Sequence, residues 1–529
     1  MYGDTEFTET LRDVIARVKR RFETTNPSSL DHVRALLIQA GQLEQAVADA
    51  NDLKALRANV EELTQSVADA FVGAFFGDRS QGLAASENAL ARFALDADAA
   101  NKTVTVKVPE GFDFYALFPE QYCRTAERWA KQYDAQSRVL IIGLRSIGTA
   151  LSAVVAASLS RAGRHVSRTT VRPTGQPLAR EIPLEIETRA DRAIIVDEGA
   201  GLSGSSMMAA AAALELHGFD RQKIDLFRGS ENGPGEQGAD LHRQLAARTQ
   251  ALLGSPVVRV EEMPKAPFSR MKLRCVTKSC GTLLWRFTGF GTMDIEMPIR
   301  RQLEKRALQG WTRAPLDTFC GFTAVPWIEG QPTSPDQVDD ELLGELARYT
   351  SEVAGPPLPE CEQARAIARL EEMTAANIAE ALGDHSPIHV PRARDGPSYG
   401  DGRMMPRHWI RTVDGRLLKT NAYAHTRDDA IAGRQSILWD VAGTIVEWNL
   451  SAGQIGAFLA ALRSFRIEAD PQALEFYQLA YAAFRMGLAT FSGGDAEAGY
   501  RNWLWSKLHA PGHQPAANPD PVQERRLAR

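Results

Sequence analysis

The sequence predicts a multidomain α/β chain: a helical N-terminal region, a doubly wound parallel-sheet domain and an α+β C-terminal domain. Three observations carry this expectation. Residues 1–103 place apolar side chains at three- and four-residue intervals. Residues 104–265 alternate short apolar runs with helical stretches and glycine-rich turns. From 266 to 511 short strands give way to long helices. A length of 529 residues accommodates three such units at roughly 150 residues each.

Taken in order, LDHVRALLIQAGQLEQAVADA and LKALRANVEELTQSVADAFVGAFF are amphipathic helices, with Pro27, Ser28 and Ser29 as a start signal. Nothing in this region concentrates chemistry, which suggests a packing or homo-oligomerising role. TVTVKV is a strand by alternation, and RVLIIGL (138–144) is an apolar run of the kind found in buried parallel strands. The helix GTALSAVVAASLSRAG follows, then HVSRTTV, the strand AIIV (193–196), the helix SSMMAAAAALELHG and the strand KIDLF. In the last third, LRCVT and TLLWRFTG read as strands, MPIRRQLEKRALQG as a helix and IRTVDGRLLKT as a hairpin, with two long helices near 452–465 and 472–490. Residues 512–529 are polar and proline-rich, the composition of a disordered tail.

Composition narrows the function classes. Hydrophobic residues make up 44% and charged residues 24%, with a net charge of −5, so a broadly basic nucleic-acid surface is not expected. No apolar run reaches the length of a membrane span, and the polar N-terminus is unlike a signal peptide. Five scattered cysteines without a CxxC pair fit neither a disulfide framework nor a zinc site. A reduced, cytoplasmic protein is the expectation, with no metal ligand assigned directly. His385, His389, His408 and His425 match no metal-binding spacing and are expected to be solvated or core histidines.

The densest chemistry lies in AIIVDEGAGLSGSS (193–206). Gly199, Gly201 and Gly204 match GxGxxG between a strand and a helix. Asp197 and Glu198 stand directly before them and would repel a pyrophosphate there, which argues against a dinucleotide. Adjacent carboxylates suit vicinal ribose hydroxyls instead, and a hydroxyl-rich loop at a helix start suits a terminal phosphate. This stretch resembles the PRPP-binding signature of type I phosphoribosyltransferases, with five residues, Gly199 to Ser203, between the acids and Gly204 where that family has four.

The resemblance implies that Asp197 and Glu198 hold the ribose. It implies that Gly199, Ala200, Gly201, Leu202, Ser203, Gly204, Ser205 and Ser206 cradle its phosphate. GLRSIGT (143–149) is similar to the family's pyrophosphate loop, with Arg145, Ser146, Gly148 and Thr149 on the ligand. RTTVRPTGQPLAREI falls where the family carries a mobile catalytic hood, so Arg168, Arg172 and Arg180 are expected over the leaving pyrophosphate, with Arg172 catalytic. Such transfer passes through an oxocarbenium-like state, with Mg²⁺ on the pyrophosphate.

The C-terminal third resembles, more distantly, aminoglycoside- and choline-kinase-like phosphotransferases. SYGDGRMMPRHW corresponds to the catalytic loop, with Asp401 as the base, and Asp440 to a later structural aspartate. Proline stands at 406, where that family has asparagine, and Asn421 stands at its second metal-binding aspartate. Both changes weaken the metal-assisted neutralisation on which phosphoryl transfer depends.

The leading expectation is therefore a phosphoribosyltransferase moving ribose 5-phosphate from PRPP to a small-molecule acceptor, with Mg²⁺. Two alternatives stay open: a non-catalytic PRPP or nucleotide sensor, and a small-molecule kinase binding ATP through the C-terminal domain.

Overall fold

The computed structural model describes residues 5–78, 83–93, 97–176, 179–185, 189–199, 205–229, 238–264, 269–291, 299–383, 397–398, 400–425, 433–492 and 496–509. The expected tail, the loop 200–204 with Ala200, Gly201, Leu202, Ser203 and Gly204, and His385 and His389 lie outside these residues.

The N-terminal region is helical, as its periodicity predicts, but it opens on a strand. β1 (Thr5–Thr10) pairs antiparallel with β2 (Thr103–Val108), Thr5 opposite Val108. Val104, Val106 and Val108 of β2 point inward, and the helix Leu30–Asp49 covers them. That helix is buried on every side from Val33 to Ala48, including its polar residues. Gln45 meets the backbone of β2: its amide donates to the Thr105 carbonyl (3.1 Å) and its carbonyl accepts from the Lys107 N–H (2.9 Å). A buried glutamine is tolerated only with its polar atoms partnered in this way.

The next sheet contains β3 (Arg138–Leu144), β4 (His165–Val171), β7 (Arg192–Val196) and β8 (Ile224–Phe227), in the order β4-β3-β7-β8 and all parallel. A short hairpin of β5 (Thr174–Gln176) and β6 (Ala179–Glu181) interrupts the path from β4 to β7. Strand β3 explains why RVLIIGL shows no alternation. Val139 and Ile141 face one apolar core together with the helix Ile147–Arg161. Leu140, Ile142 and Leu144 face another with Met207 and Ala210 of the helix Ser205–Leu216. Both faces are dry, so both sets of side chains are apolar.

A second, antiparallel sheet follows: β9 (Val257–Glu262), β10 (Lys272–Thr277), β11 (Thr282–Phe287), β12 (Asp317–Phe319) and β13 (Phe322–Pro326), in the order β12-β13-β11-β10-β9. Pairing of β9 with β10 joins residues on the two sides of position 265. One continuous apolar cluster runs from Leu11 through the parallel sheet to Ala324 of β13.

The remaining residues form a mostly helical lobe with its own core, built on Asp340–Val353, Leu438–Glu447, Ala452–Ser464 and Pro471–Ser492. It carries β14 (Gln331–Pro332), β15 (Gly355–Pro357), β16 (Pro397–Ser398), β17 (Trp409–Arg411) and β18 (Leu417–Lys419). The last two are the hairpin expected in IRTVDGRLLKT. Among the described residues no helix is long and apolar enough to cross a membrane.

Candidate functional site

Two clusters gather the residues singled out above. The first lies at the C-terminal edge of the parallel sheet. Gly143 of β3 stands in register with Val196 of β7, so the turn after β3 and the acids after β7 are neighbours. Their approach is close: a Cβ on Gly148 would lie 2.6 Å from the Val196 carbonyl oxygen, so only glycine fits there. Ser146 caps the helix Ile147–Arg161 with φ 119° and ψ −108°, a backbone conformation that costs a non-glycine residue of the order of 1–3 kcal/mol. The hydroxyls of Ser146 and Thr149 are buried and have no hydrogen-bond partner among the described residues. Two such hydroxyls at a helix N-terminus are donors of the kind that suits an anion.

Glu198 lies across from this turn and accepts from the Gly111 N–H (3.2 Å), while the Tyr122 hydroxyl donates to the Asp197 carbonyl (2.6 Å). Ser205 and Ser206 open the helix Ser205–Leu216, as expected.

The basic residues are placed differently from the expectation. Arg168 forms a two-nitrogen ion pair with Glu44 (2.9 and 3.0 Å). Arg172 holds both carboxylate oxygens of Asp49, and Arg145 reaches the same group at 3.2 Å. Arg180 donates to the Gly175 carbonyl within its own hairpin (2.6 Å). Glu44 and Asp49 lie on the helix Leu30–Asp49, in the region read as free of chemistry. Burial alone would raise the Asp49 pKa; the hydrogen bond and charge of Arg172 outweigh it and hold the carboxyl below its ordinary range. A leaving pyrophosphate would have to compete with these carboxylates for Arg168 and Arg172. The hood role expected of them is therefore not what this structure displays.

The second cluster joins Asp401, Asn421 and Asp440, the positions that the kinase resemblance singled out. Asp440 opens the helix Leu438–Glu447, and its carboxylate accepts from the backbone N–H groups of Gly400 (3.1 Å), Asp401 (3.1 Å) and Gly402 (2.7 Å). Gly400 has no room for a side chain: a Cβ there would lie 1.7 Å from the Val353 carbonyl oxygen. The anchored loop presents Asp401 to two groups that sequence reasoning missed. Lys419 approaches both Asp401 carboxylate oxygens at 2.9 Å, and the Tyr349 hydroxyl donates to the same carboxylate. The only signal for Lys419 was a lysine inside the apolar stretch LLKT; Tyr349 gave none.

Asn421 completes the network. Its carbonyl oxygen accepts from Lys419 (2.9 Å), and its amide nitrogen lies 3.2 Å from His408 Nδ1 and 3.1 Å from His425 Nε2. Burial, then the charge of Lys419, push the His408 imidazole well below its ordinary pKa, so it is neutral and can accept. His425 is thus a core histidine and His408 a partly buried one, both bound to an amide. Burial lowers the Lys419 pKa against the opposing effect of Asp401. Burial, followed by the charge of Asp401, raises the Asp440 carboxyl to about 7 despite three amide hydrogen bonds. Asp401, Lys419 and Asp440 are fully buried.

The antiparallel sheet touches this cluster through Arg286 of β11. It donates to the Thr420 carbonyl (2.7 Å), while its Nε is buried without a partner among the described residues. From the helix Ile299–Leu308, Gln302 accepts from the Ala424 N–H (2.7 Å).

No protein-family profile and no curated protein matches this chain. Among solved structures it is similar to the choline kinase LicA from Streptococcus pneumoniae, with a TM-score of 0.36 and 15% identity over 51% of this chain and 100% of that one. It is also similar to the macrolide 2′-phosphotransferase MphH from Brachybacterium faecium, with a TM-score of 0.31 and 15% identity over 53% and 100% of the two chains. The amicoumacin kinase hAmiN, solved with AMP-PNP and Ca²⁺, gives a TM-score of 0.35 and 11% identity over 52% and 96%. At such scores neither fold nor activity is taken from the likeness.

Proposed function

We propose that this chain is a small-molecule phosphotransferase whose C-terminal half uses a nucleoside triphosphate. One observation carries the reading: Asp440 clamps three consecutive amides of the Gly400–Gly402 loop and so fixes Asp401 beside Lys419, where the antiparallel sheet meets the helical lobe. A carboxylate fixed in this way can take the proton of an acceptor hydroxyl. The hydroxyl oxygen then forms a bond to the γ-phosphorus, the bond from that phosphorus to the β–γ bridging oxygen breaks, and the nucleoside diphosphate leaves. Lys419 and Arg286 supply the positive charge that a phosphoryl group in transfer requires. Because Asp401 and Lys419 are covered, a ligand reaches them when the Arg286–Thr420 and Gln302–Ala424 hydrogen bonds at the lobe junction release.

Mg²⁺, which the resemblance implies, was tested against these residues. It needs several oxygens at about 2.0–2.1 Å. Here the oxygens of Asp401 and Asn421 face an ammonium at 2.9 Å, and residue 406 is proline. The residues do not fit the metal.

The test is ADP release from ATP in the presence of choline, ethanolamine or a macrolide, with Asp401→Asn as control. ADP formation lost in Asp401→Asn supports the reading. Absence of both ADP formation and any ATP-induced rise in melting temperature overturns it.

A second observation favours a separate reading for the α/β half. The strained Ser146 and the orphaned hydroxyls of Ser146 and Thr149, beside Asp197 and Glu198, suit the phosphates of a ligand such as PRPP, bound either for transfer or for sensing. PRPP raising the melting temperature of the wild type, but not of the Asp197→Asn, Glu198→Gln variant, supports this. Pyrophosphate release then separates transfer from sensing.

A further inference from the structure

We infer that the Lys419 ammonium takes the part of a divalent cation in the C-terminal half, so that its nucleotide is bound as the metal-free anion. The inference rests on the phosphotransferase reading and specifies the ionic form of the ligand.

Three oxygens surround the Lys419 nitrogen at 2.9 Å, two from Asp401 and one from Asn421. An ammonium has three N–H donors; hydrogen bonds to Asp401 and Asn421 occupy two, the second Asp401 oxygen adds an ion-pair contact, and one donor remains for an anion. The Asn421 amide is oriented for the purpose. Its NH₂ points to the two imidazole nitrogens, and turning it over would aim that NH₂ at the ammonium. The Asp401 oxygens are further committed to the Tyr349 hydroxyl and to the Arg403 N–H (3.0 Å). The rings of Tyr349 and Trp409 each stand 5.7 Å from the ammonium, leaving apolar walls where a hydrated ion keeps its water. Mg²⁺ gives up water reluctantly, so such walls disfavour it. Among the described residues no group of three or more His, Cys, Asp or Glu side chains is placed to hold a metal. At the lobe junction the Arg286 Nε, buried and without a partner among the described residues, adds a second donor for an anion that retains its full charge.

The test is ATP affinity of the full chain, measured by calorimetric titration in EDTA and in excess MgCl₂. The two Kd values are expected to agree within about threefold. Binding about tenfold or more tighter with Mg²⁺ overturns the inference and leaves the phosphotransferase reading standing. No binding in either buffer overturns that reading and the inference with it. Lys419→Gln is expected to weaken binding in EDTA by about tenfold or more, and Lys419→Arg, which keeps the charge, to retain it. Wild-type affinity in a folded Lys419→Gln overturns the inference. A readout without nucleotide is the electron paramagnetic resonance of added MnCl₂: a bound Mn²⁺ signal that Asp401→Asn abolishes also overturns it.

Discussion

Asp440 holds Asp401 in place through the backbone: one Asp440 carboxylate oxygen accepts from the Asp401 N–H at 3.1 Å, while its other oxygen accepts from Gly402 at 2.7 Å. Two buried carboxylates therefore share one loop, and only Asp401 has a cationic partner on its side chain. The cost falls on Asp440, whose pKa rises to about 7.

That shift sets a pH dependence. Between the ordinary carboxylate range and about 7 the folded protein keeps a proton on Asp440 that the unfolded chain has released. Stability from this group is therefore greatest at low pH and declines as pH rises toward 7, then levels off. Melting temperature against pH should show this decline in the wild type. In Asp440→Asn that component should be absent, even though the variant is less stable throughout.

Lys419→Met should be severely destabilising, because it leaves Asp401 charged, buried and uncompensated. Breaking a buried pair by removing one partner typically costs 3–5 kcal/mol, about that much being expected here. The double variant Lys419→Met, Asp401→Asn removes both charges and should recover much of the loss. Urea unfolding of the two variants decides this; a double variant no better than the single one contradicts it.

Ser146→Gly should stabilise the chain by about 1 kcal/mol, because glycine adopts φ 119° without strain. If the strain serves a phosphate ligand, the same change should weaken PRPP binding by removing one hydroxyl. Denaturant midpoints and PRPP titrations read the two effects separately.

Asp49 gives the opposite sign to Asp440. Its pKa is depressed, so its contribution is present above the ordinary aspartate pKa and disappears as pH falls through the lowered value. Acid unfolding of Asp49→Asn should lack this component. The substitution also removes the shared counterion of Arg145 and Arg172, so neutral-pH stability should fall as well.

Much of the architecture was legible from local pattern. The apolar run at 138–144 identified a strand buried on both faces, and the kinase resemblance singled out Asp401, Asn421 and Asp440, which the fold gathers in one cluster. TEFTET was not legible as a strand. Its pairing with β2 lies nearly a hundred residues away, and its threonines and glutamates carry little apolar signal. The hood arginines were assigned by charge and position along the chain. The partners of Arg168 and Arg172 are carboxylates 124 and 123 residues earlier, on a helix whose sequence marks it only as amphipathic.

By itself the sequence determined most of the helix and strand segments, TEFTET excepted, and most of the apolar side chains that face inward, since burial periodicity is a property of neighbouring residues. It also placed acids and glycines at the turns where chemistry gathers. Only the tertiary structure decided which opposite charges meet. Lys419 lies between Asp401 and Asn421, and Arg172 lies on Asp49, because packing brings distant segments together and excludes water. Once water is excluded, each buried ionisable group needs a counterion or, like Asp440, a shifted pKa, and the fold alone selects which.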